Sequence, residues 1–287
     1  MKRILTATVL ILAVLALIFF GKLWMLTLFA AIVAELAAFE YLKLASVGAE
    51  ANDARLRIPM WWMALATLLA FVVTLTDFPV DAQLPVLSAL TLALFAWNGF
   101  LAPLNQVLPD TAQGLFGLIW IAYPLTLIPL LWKQEDGPTL LLFLMVCVWS
   151  GDIAALYIGR AFGKHKLAPR LSPGKTWEGS IASIVGSILV AALVVWISDT
   201  LNARGNTILH ISEPLWQSLV LAAIINIAAQ LGDLLESAVK RGAGVKDSGN
   251  ILPGHGGILD RIDALLVAAP VLWFCLLLMD HFGLARF

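Results

Sequence analysis

The sequence has little charge, few cysteines and no excess of basic residues. Charged side chains make up 13% of its 287 residues, against about a quarter in an ordinary soluble domain, which excludes a water-soluble globule. Because 18 Lys and Arg face 19 Asp and Glu, the chain has no overall basic field, and we expect no nucleic acid partner. Two cysteines, Cys147 and Cys275, are too few for a disulfide framework or a zinc cluster.

Long apolar runs dominate what remains, since 61% of the residues are hydrophobic. A bilayer core of about 30 Å needs roughly 20 apolar residues as helix, because backbone polar groups must be paired where water is absent. Such runs lie near residues 4–20, 23–45, 58–76, 84–102, 112–132, 138–158, 180–198, 215–235 and 264–280. They predict an all-α, polytopic integral membrane protein with about nine transmembrane helices. The first run has no small-residue cleavage site directly after Phe20, so we expect a retained helix rather than a signal peptide.

The distribution of basic residues predicts the orientation of these helices. Lys and Arg collect in short cytoplasmic loops. With the N-terminus in the cytoplasm, only four basic residues fall on the outer side: Lys22, Lys133, Arg204 and Arg286. We therefore predict a cytoplasmic N-terminus, an outer C-terminus and a cytoplasmic or inner membrane location.

Polar residues concentrate in the C-terminal half. We divide the chain into residues 1–137, an N-terminal scaffold of about five transmembrane helices, and residues 138–287, a transmembrane catalytic region. Two predicted cytoplasmic segments of the latter are rich in charge, Gly and Ser: a first motif loop, 159–179, and a second motif loop, 236–263. The chemistry is expected there.

Acidic residues mark the polar end of the eighth predicted helix. If residues 231–241 continue this helix, Asp233, Glu236, Ser237, Lys240 and Arg241 share one face. Such a stripe is costly at membrane depth unless it lines a polar cavity. An amphipathic helix end at the membrane interface would also explain it.

Two further carboxylates, Asp260 and Asp263, lie three residues apart where the ninth helix begins. Taken alone, each could cap N–H groups and complement the helix dipole. Together with Asp233 they form the hard oxygen ligand set that Mg²⁺ accepts. We therefore predict Asp233, Asp260 and Asp263 as metal ligands and catalytic residues.

A glycine-rich run, GNILPGHGGIL, precedes these carboxylates. Glycines such as Gly256 and Gly257 let backbone amides approach a phosphate closely, and the run leads into a helix N-terminus. His255 could bind phosphate or transfer a proton, or could simply be a turn residue. Lys246 and Asp247 could serve phosphate and metal, or could pair in water.

The first motif loop follows an apolar run that contains Asp152, and an ionisable residue at membrane depth is a functional candidate. Gly151, Ala155, Gly159 and Gly163 form a small-residue seam, which predicts close helix packing. The loop ends in SPGKTWEG, residues 172–179. A positive-inside loop explains its cations but not this combination of hydroxyls, cation and carboxylate.

The segment SAVKRGAGVKDSGNILPGHGGILDRID, residues 237–263, resembles the signature of the phosphatidate cytidylyltransferases, the CDP-diacylglycerol synthases. The preceding GDLLES, the upstream pattern D-x4-Y-x-G-R-x-F-G-K-H-K and SPGKTWEG are also similar to that family. The likeness covers about residues 150–280. Gly174 departs from it, because relatives often carry Lys there.

The resemblance implies transfer of a cytidylyl group from CTP to phosphatidic acid, giving CDP-diacylglycerol and pyrophosphate for phospholipid biosynthesis. It implies Mg²⁺, with a second cation such as K⁺ left open, and a homodimer in a lipid bilayer with the active site facing the cytoplasm. The catalytic set is Asp233, Lys246, Asp247, Asp260 and Asp263. The predicted substrate-binding residues are Arg160, Ser172, Lys175, Ser237, Lys240, Arg241, His255, Gly256, Gly257 and Arg261. Lys240, Arg241, Lys246, Arg261 and the GHGG amides would hold the triphosphate, and Arg160, Ser172 and Lys175 would hold lipid phosphate or nucleotide.

Two other functions stay open. A CTP-dependent lipid-alcohol kinase would transfer the γ-phosphate instead of the nucleotide. A cation-coupled transporter would use Asp152 and Asp233 as ion sites within the membrane.

Overall fold

The computed structural model describes residues 2–46, 58–76, 80–211, 214–251 and 256–283. Helices make up most of these ranges. They are α1 Lys2–Phe20, α2 Leu23–Ser46, α3 Met60–Leu75, α4 Val80–Leu101, α5 Val107–Gly117, α6 Tyr123–Trp132, α7 Gly137–Phe162, α8 Trp177–Asn202, α9 Leu215–Gly242, α10 Leu259–Ile262 and α11 Leu265–His281. One turn of π-helix, Leu118–Ala122, joins α5 to α6, so Val107–Trp132 forms a continuous rod.

The helices confirm the polytopic membrane fold. Within the described ranges, seven helical segments are long and apolar enough to cross a bilayer, and Ile11–Phe20 and Met60–Leu75 are shorter apolar helices. Each of the nine predicted apolar runs coincides with helical structure. The regular backbone hydrogen bonding of these helices is what a lipid environment requires.

One part of the described chain departs from the all-α prediction. In the first motif loop, β1 (Lys166–Ala168) and β2 (Ser172–Thr176) form a two-stranded antiparallel hairpin. Thr176 ends β2 and caps α8, because its Oγ1 accepts a hydrogen bond from the Gly179 amide at 3.1 Å. These short polar strands lack the apolar alternation that would have signalled them in the sequence.

The chain folds into two compact units. The first unit comprises Met1–Leu23, Leu131–Ala238 and Ile262–Phe287, and the second comprises Trp24–Leu130 and Val239–Arg261. The predicted boundary at residue 137 lies near one of the points where the chain passes from one unit to the other. The assignment of scaffold and catalytic roles to the two halves stays a prediction.

Helices α7 and α8 of the first unit pack along each other through the predicted small-residue seam. Gly151 lies directly against the side chains of Ser183, Ser187 and Asn226. The Asn226 amide donates hydrogen bonds to the hydroxyls of Ser183 at 3.0 Å and Ser187 at 2.8 Å. A larger side chain at Gly151 would displace these groups, so the seam serves packing within one chain.

The second unit buries the C-terminal part of α2. Tyr41 donates a hydrogen bond to the Gln113 carbonyl at 2.9 Å, and its ring meets that of Trp120 edge-on with centroids 6.0 Å apart. Glu40, the residue before Tyr41, is also buried. This acid is therefore held inside the second unit.

Candidate active site

Three carboxylates of the first unit meet at one point. Asp233, Glu236 and Asp263 each place one ligand oxygen within 4.8 Å of the others. Asp233 and Glu236 lie three residues apart on one face of α9, as the predicted stripe requires. Glu236 is fully buried, whereas Asp233 and Asp263 are half-buried. Carboxylate oxygens at this spacing are a donor set that fits Mg²⁺.

The absence of a side chain at Gly232 allows this convergence. A Cβ atom at Gly232 would collide with the backbone carbonyl of Asp263, and its next neighbour would be the Cα of Ala264 at 3.2 Å. Gly232 therefore lets the segment after α10 lie directly on α9. Asp263 is brought to the carboxylates of α9 in this way.

Lys175 places a positive charge beside the carboxylate cluster. Its Nζ lies 2.7 Å from Oδ2 of Asp233. The hairpin positions this lysine, since β2 runs directly into α8 and the turn before β1 is tied to the same helix. Glu178 makes that tie by accepting hydrogen bonds from the amides of Lys164 and His165 and by contacting His165 Nδ1 at 2.6 Å.

A cavity of about 630 Å³ opens in the first unit beside Lys175 and Asp233. Its lining also includes Asp152 and Arg160 from α7, so four charged residues singled out in the sequence share one space. Among the described residues, the lining includes Arg160 and Lys175 but not Ser172, which pairs with Ala168 in the hairpin. The cavity therefore combines cations, which suit a phosphate, with carboxylates, which suit a metal ion.

Asp260 belongs to the second unit, where both of its oxygens accept hydrogen bonds. Lys240 donates to Oδ1 at 2.6 Å. Oδ2 accepts from the Ser248 amide and hydroxyl, both at 3.0 Å, and from the Gly257 amide at 2.8 Å. Asp260 thus binds the second motif loop through the backbone amides of Ser248 and Gly257, which both precede it in the chain.

Glu40 contacts the same loop from α2. Its Oε2 accepts hydrogen bonds from the Ser248 hydroxyl at 3.1 Å and from the Leu259 amide at 2.8 Å. Glu40 is 1% exposed. A buried acid of the N-terminal half therefore binds a segment more than two hundred positions away, as the separations of 208 and 219 residues in these two bonds record.

Comparison with known proteins identifies the family. The model of the cytidylyltransferase family matches residues 1–279. The chain belongs to the cytidylyltransferase family. This result confirms the resemblance found in the sequence.

Three relatives show how far the similarity extends. A phosphatidate cytidylyltransferase of Pseudomonas aeruginosa is 36% identical over 281 residues, which cover 94% of each chain. One of Brucella suis biovar 1 is 46% identical over 166 residues, which cover 56% of this chain and 55% of the relative. One of Haemophilus influenzae is 42% identical over 135 residues, which cover 47% of this chain and 44% of the relative. In the last two comparisons the chain spans about half the length of the relative.

The other site residues predicted from the family likeness are placed as follows. Lys246, Asp247 and Arg261 are exposed. Arg241 donates from Nη1 to the Val245 carbonyl at 3.1 Å, and the Ser237 hydroxyl lies 3.5 Å from Oδ1 of Asp233. Their roles stay predictions.

The glycine run of the family signature is described only in part. Gly256 has a φ of +79°, a conformation that favours glycine. The Gly257 amide, predicted to contact phosphate, donates to Asp260. His255 lies outside the described residues.

The predicted residue set omitted two acids. Glu236 was recognised on the α9 stripe but was not assigned to the metal. Glu40 was missed, although an acid within an apolar run was the same signal that drew attention to Asp152. Applied to α2, that rule would have found it.

Proposed function

We propose that the protein transfers the cytidylyl group of CTP to phosphatidic acid, giving CDP-diacylglycerol and pyrophosphate. The relatives bear the name phosphatidate cytidylyltransferase. The observation that carries the proposal is the meeting of Asp233, Glu236 and Asp263 with Lys175 beside a charged cavity. Transfer between phosphates depends on positioning and charge neutralisation more than on a strong base.

The three clustered carboxylates would hold Mg²⁺. When bound, this ion supplies charge neutralisation at the phosphates of the nucleotide. Asp233 would share its charge between the ion and Lys175. Asp260 enters the proposal as the partner of Lys240, because both of its oxygens already accept hydrogen bonds. Its role as a further metal ligand stays a prediction, as does a second cation such as K⁺.

The lipid phosphate would enter the cavity of the first unit. Arg160 and Lys175 line that cavity and would orient the anionic headgroup. A phosphate oxygen of phosphatidic acid forms the new bond to the α-phosphorus of CTP, and the bond from that phosphorus to the β-phosphate oxygen breaks. The electron pair leaves with pyrophosphate. The nucleophile is already an anion, so no protein base has to remove a proton.

The location of the site follows from the same proposal. CTP is a cytosolic substrate, and the basic residues of both motif loops predict that these loops face the cytoplasm. We therefore infer an inner membrane protein with a cytoplasmic active site. A homodimer stays a prediction, because the small-residue seam is used within the chain.

Labelled CTP tests the reaction class directly. Purified protein in detergent is incubated with phosphatidic acid, Mg²⁺ and CTP labelled at the α-phosphorus, and the lipid phase is extracted. We expect label in the lipid phase and unlabelled pyrophosphate in water. Label in lipid only from γ-labelled CTP, with a lipid alcohol as acceptor, would indicate the kinase. Ion flux in liposomes without nucleotide would indicate the transporter.

A further inference from the structure

Glu40 is an acid that the reaction proposed above does not use, and it is among the most deeply buried polar groups of the second unit. Its Oε2 accepts two hydrogen bonds from the second motif loop. Its Oε1 is buried and has no hydrogen-bond partner among the residues that the structure describes. Burying a carboxylate is costly unless its contacts compensate. A polar side chain buried this deeply therefore calls for a specific role.

Two glycines of the loop lie directly on this carboxylate. A Cβ atom at Gly249 or Gly257 would overlap the oxygens of Glu40. The backbone at Gly249 and the backbone at Gly257 therefore both lie against the carboxylate of Glu40. Neither glycine could be replaced without moving Glu40 or the loop.

Glu40 and Asp260 share one hydroxyl group. The Ser248 Oγ lies 3.1 Å from Oε2 of Glu40 and 3.0 Å from Oδ2 of Asp260. A serine hydroxyl has one proton, so it donates to one of the two carboxylates at a time and accepts nothing from either while both are ionised. Ser248 thus connects the acid of α2 to the acid of α10.

Glu40 also fixes the start of the helix that carries Asp260. The Leu259 amide is the first of α10, and it donates to Glu40 Oε2. Glu40 therefore caps α10 from another helix, in the place of a neighbouring side chain. Asp260 is the next residue along that helix, and its carboxylate holds Lys240.

We propose that Glu40 is a positioning residue, which holds Ser248 and the first turn of α10 so that Asp260 and Lys240 keep the geometry needed for cytidylyl transfer. The activity part of this inference rests on the function proposed above. The role requires an acceptor oxygen at this depth and does not require a negative charge. Removal of residues that orient the ligand-contacting groups by hydrogen bonding commonly costs about 10–100-fold in activity or metal affinity.

Three substitutions of Glu40 separate the effect of the acceptor oxygen from the effect of the negative charge. Glu40→Gln keeps the length and an acceptor oxygen, Glu40→Asp keeps the charge but withdraws it by one methylene, and Glu40→Ala removes both. Leu44→Ala is the matched control, because Leu44 is a buried residue one turn later on α2. Two readouts are taken on each purified full-length variant: label transfer from α-labelled CTP, and hydrogen exchange at the Leu259 amide.

We expect Glu40→Ala and Glu40→Asp to lower kcat about tenfold or more and to accelerate Leu259 exchange about tenfold. Glu40→Gln should stay within about threefold of wild type in both readouts, because the amide oxygen of Gln can still accept both hydrogen bonds. Leu44→Ala should leave the Leu259 exchange rate within about threefold of the wild-type rate. Equal loss in Glu40→Gln and Glu40→Ala would overturn the inference, since charge would then be the requirement.

Exchange distinguishes this inference from the function itself. If wild-type protein transferred no label, the proposed reaction would be rejected, and Leu259 exchange in Glu40→Ala would still test the positioning. Exchange that stays at the wild-type rate in Glu40→Ala, or that rises equally in Leu44→Ala, would reject the positioning even if label transfer is normal in wild type.

Discussion

Lys175 of β2 and Asp233 of α9 form an ion pair in which Nζ lies 2.7 Å from Oδ2. Their side chains are 24% and 41% exposed. A pair this open contributes only about 0–1 kcal/mol to folding stability. Its loss should therefore affect phosphate and metal binding far more than folding.

Lys175→Ala should reduce label transfer from CTP roughly a hundredfold, the typical cost of losing one group that stabilises developing charge. The unfolding temperature in detergent should change little. Lys164→Ala is the matched control, because this exposed lysine of the same loop uses its backbone amide, not its ammonium, to contact Glu178. Near-normal kcat/KM in Lys175→Ala would remove Lys175 from the site.

The carboxylate cluster should set the metal requirement. Glu236→Gln and Asp263→Asn should each raise the Mg²⁺ concentration needed for half-maximal turnover by about tenfold or more, since each removes a charged ligand oxygen. Chelation of the metal should abolish turnover, and added Mg²⁺ should restore it. Asp199→Asn, at an exposed acid near the end of α8, should behave as wild type. An unchanged Mg²⁺ titration in both cluster variants would refute the assignment.

Two glycines of α9 provide a test of packing with the same substitution. Gly232→Ala should destabilise the protein by about 1–3 kcal/mol, because the added methyl group meets the backbone of Asp263. Gly242→Ala should be neutral or stabilising by up to about 1 kcal/mol, because a Cβ there has no atom within 4 Å. Thermal unfolding in detergent measures both. Equal effects would mean that α9 and the Asp263 segment are not in contact.

Reporter fusions test the predicted orientation. A fluorescent protein that matures only in the cytoplasm should be dark when fused after Phe287 and bright at the N-terminus. Arg170→Cys should label with an impermeant maleimide only in inverted vesicles, because Arg170 is exposed in the first motif loop. Wild-type protein is the control, since Cys147 is buried and Cys275 lies in an apolar helix. Labelling in right-side-out vesicles would reverse the topology.

The helices could be predicted because membrane spans are determined by local composition. The face of α9 that carries Asp233 and Glu236 follows from helical periodicity alone. The seam around Gly151 likewise indicated close packing, although not which side chains it would meet. These features depend on residues close together in the sequence.

The remaining features depend on contacts between distant segments. Glu40 and Leu259 share no local pattern, and their hydrogen bond exists only once α2 and the second motif loop are folded. The hairpin of Lys166–Ala168 and Ser172–Thr176 is anchored by Glu178 and by its join to α8, which strand propensity does not reveal. The spacing of Asp260 and Asp263 suggested one shared role, but α10 ends at Ile262 and each acid has its own set of neighbours.

The close backbone contact at Gly232 also affects which size of metal ion the proposed site would accept. Because α9 lies directly on the carbonyl of Asp263, the backbone segments that carry Asp233 and Asp263 are in contact, which favours a compact arrangement of their carboxylates. Ca²⁺ takes six to eight ligands at about 2.3–2.6 Å, whereas Mg²⁺ needs about 2.0–2.1 Å. In the proposed site, discrimination against Ca²⁺ would then depend on a position where α9 has no side chain at all.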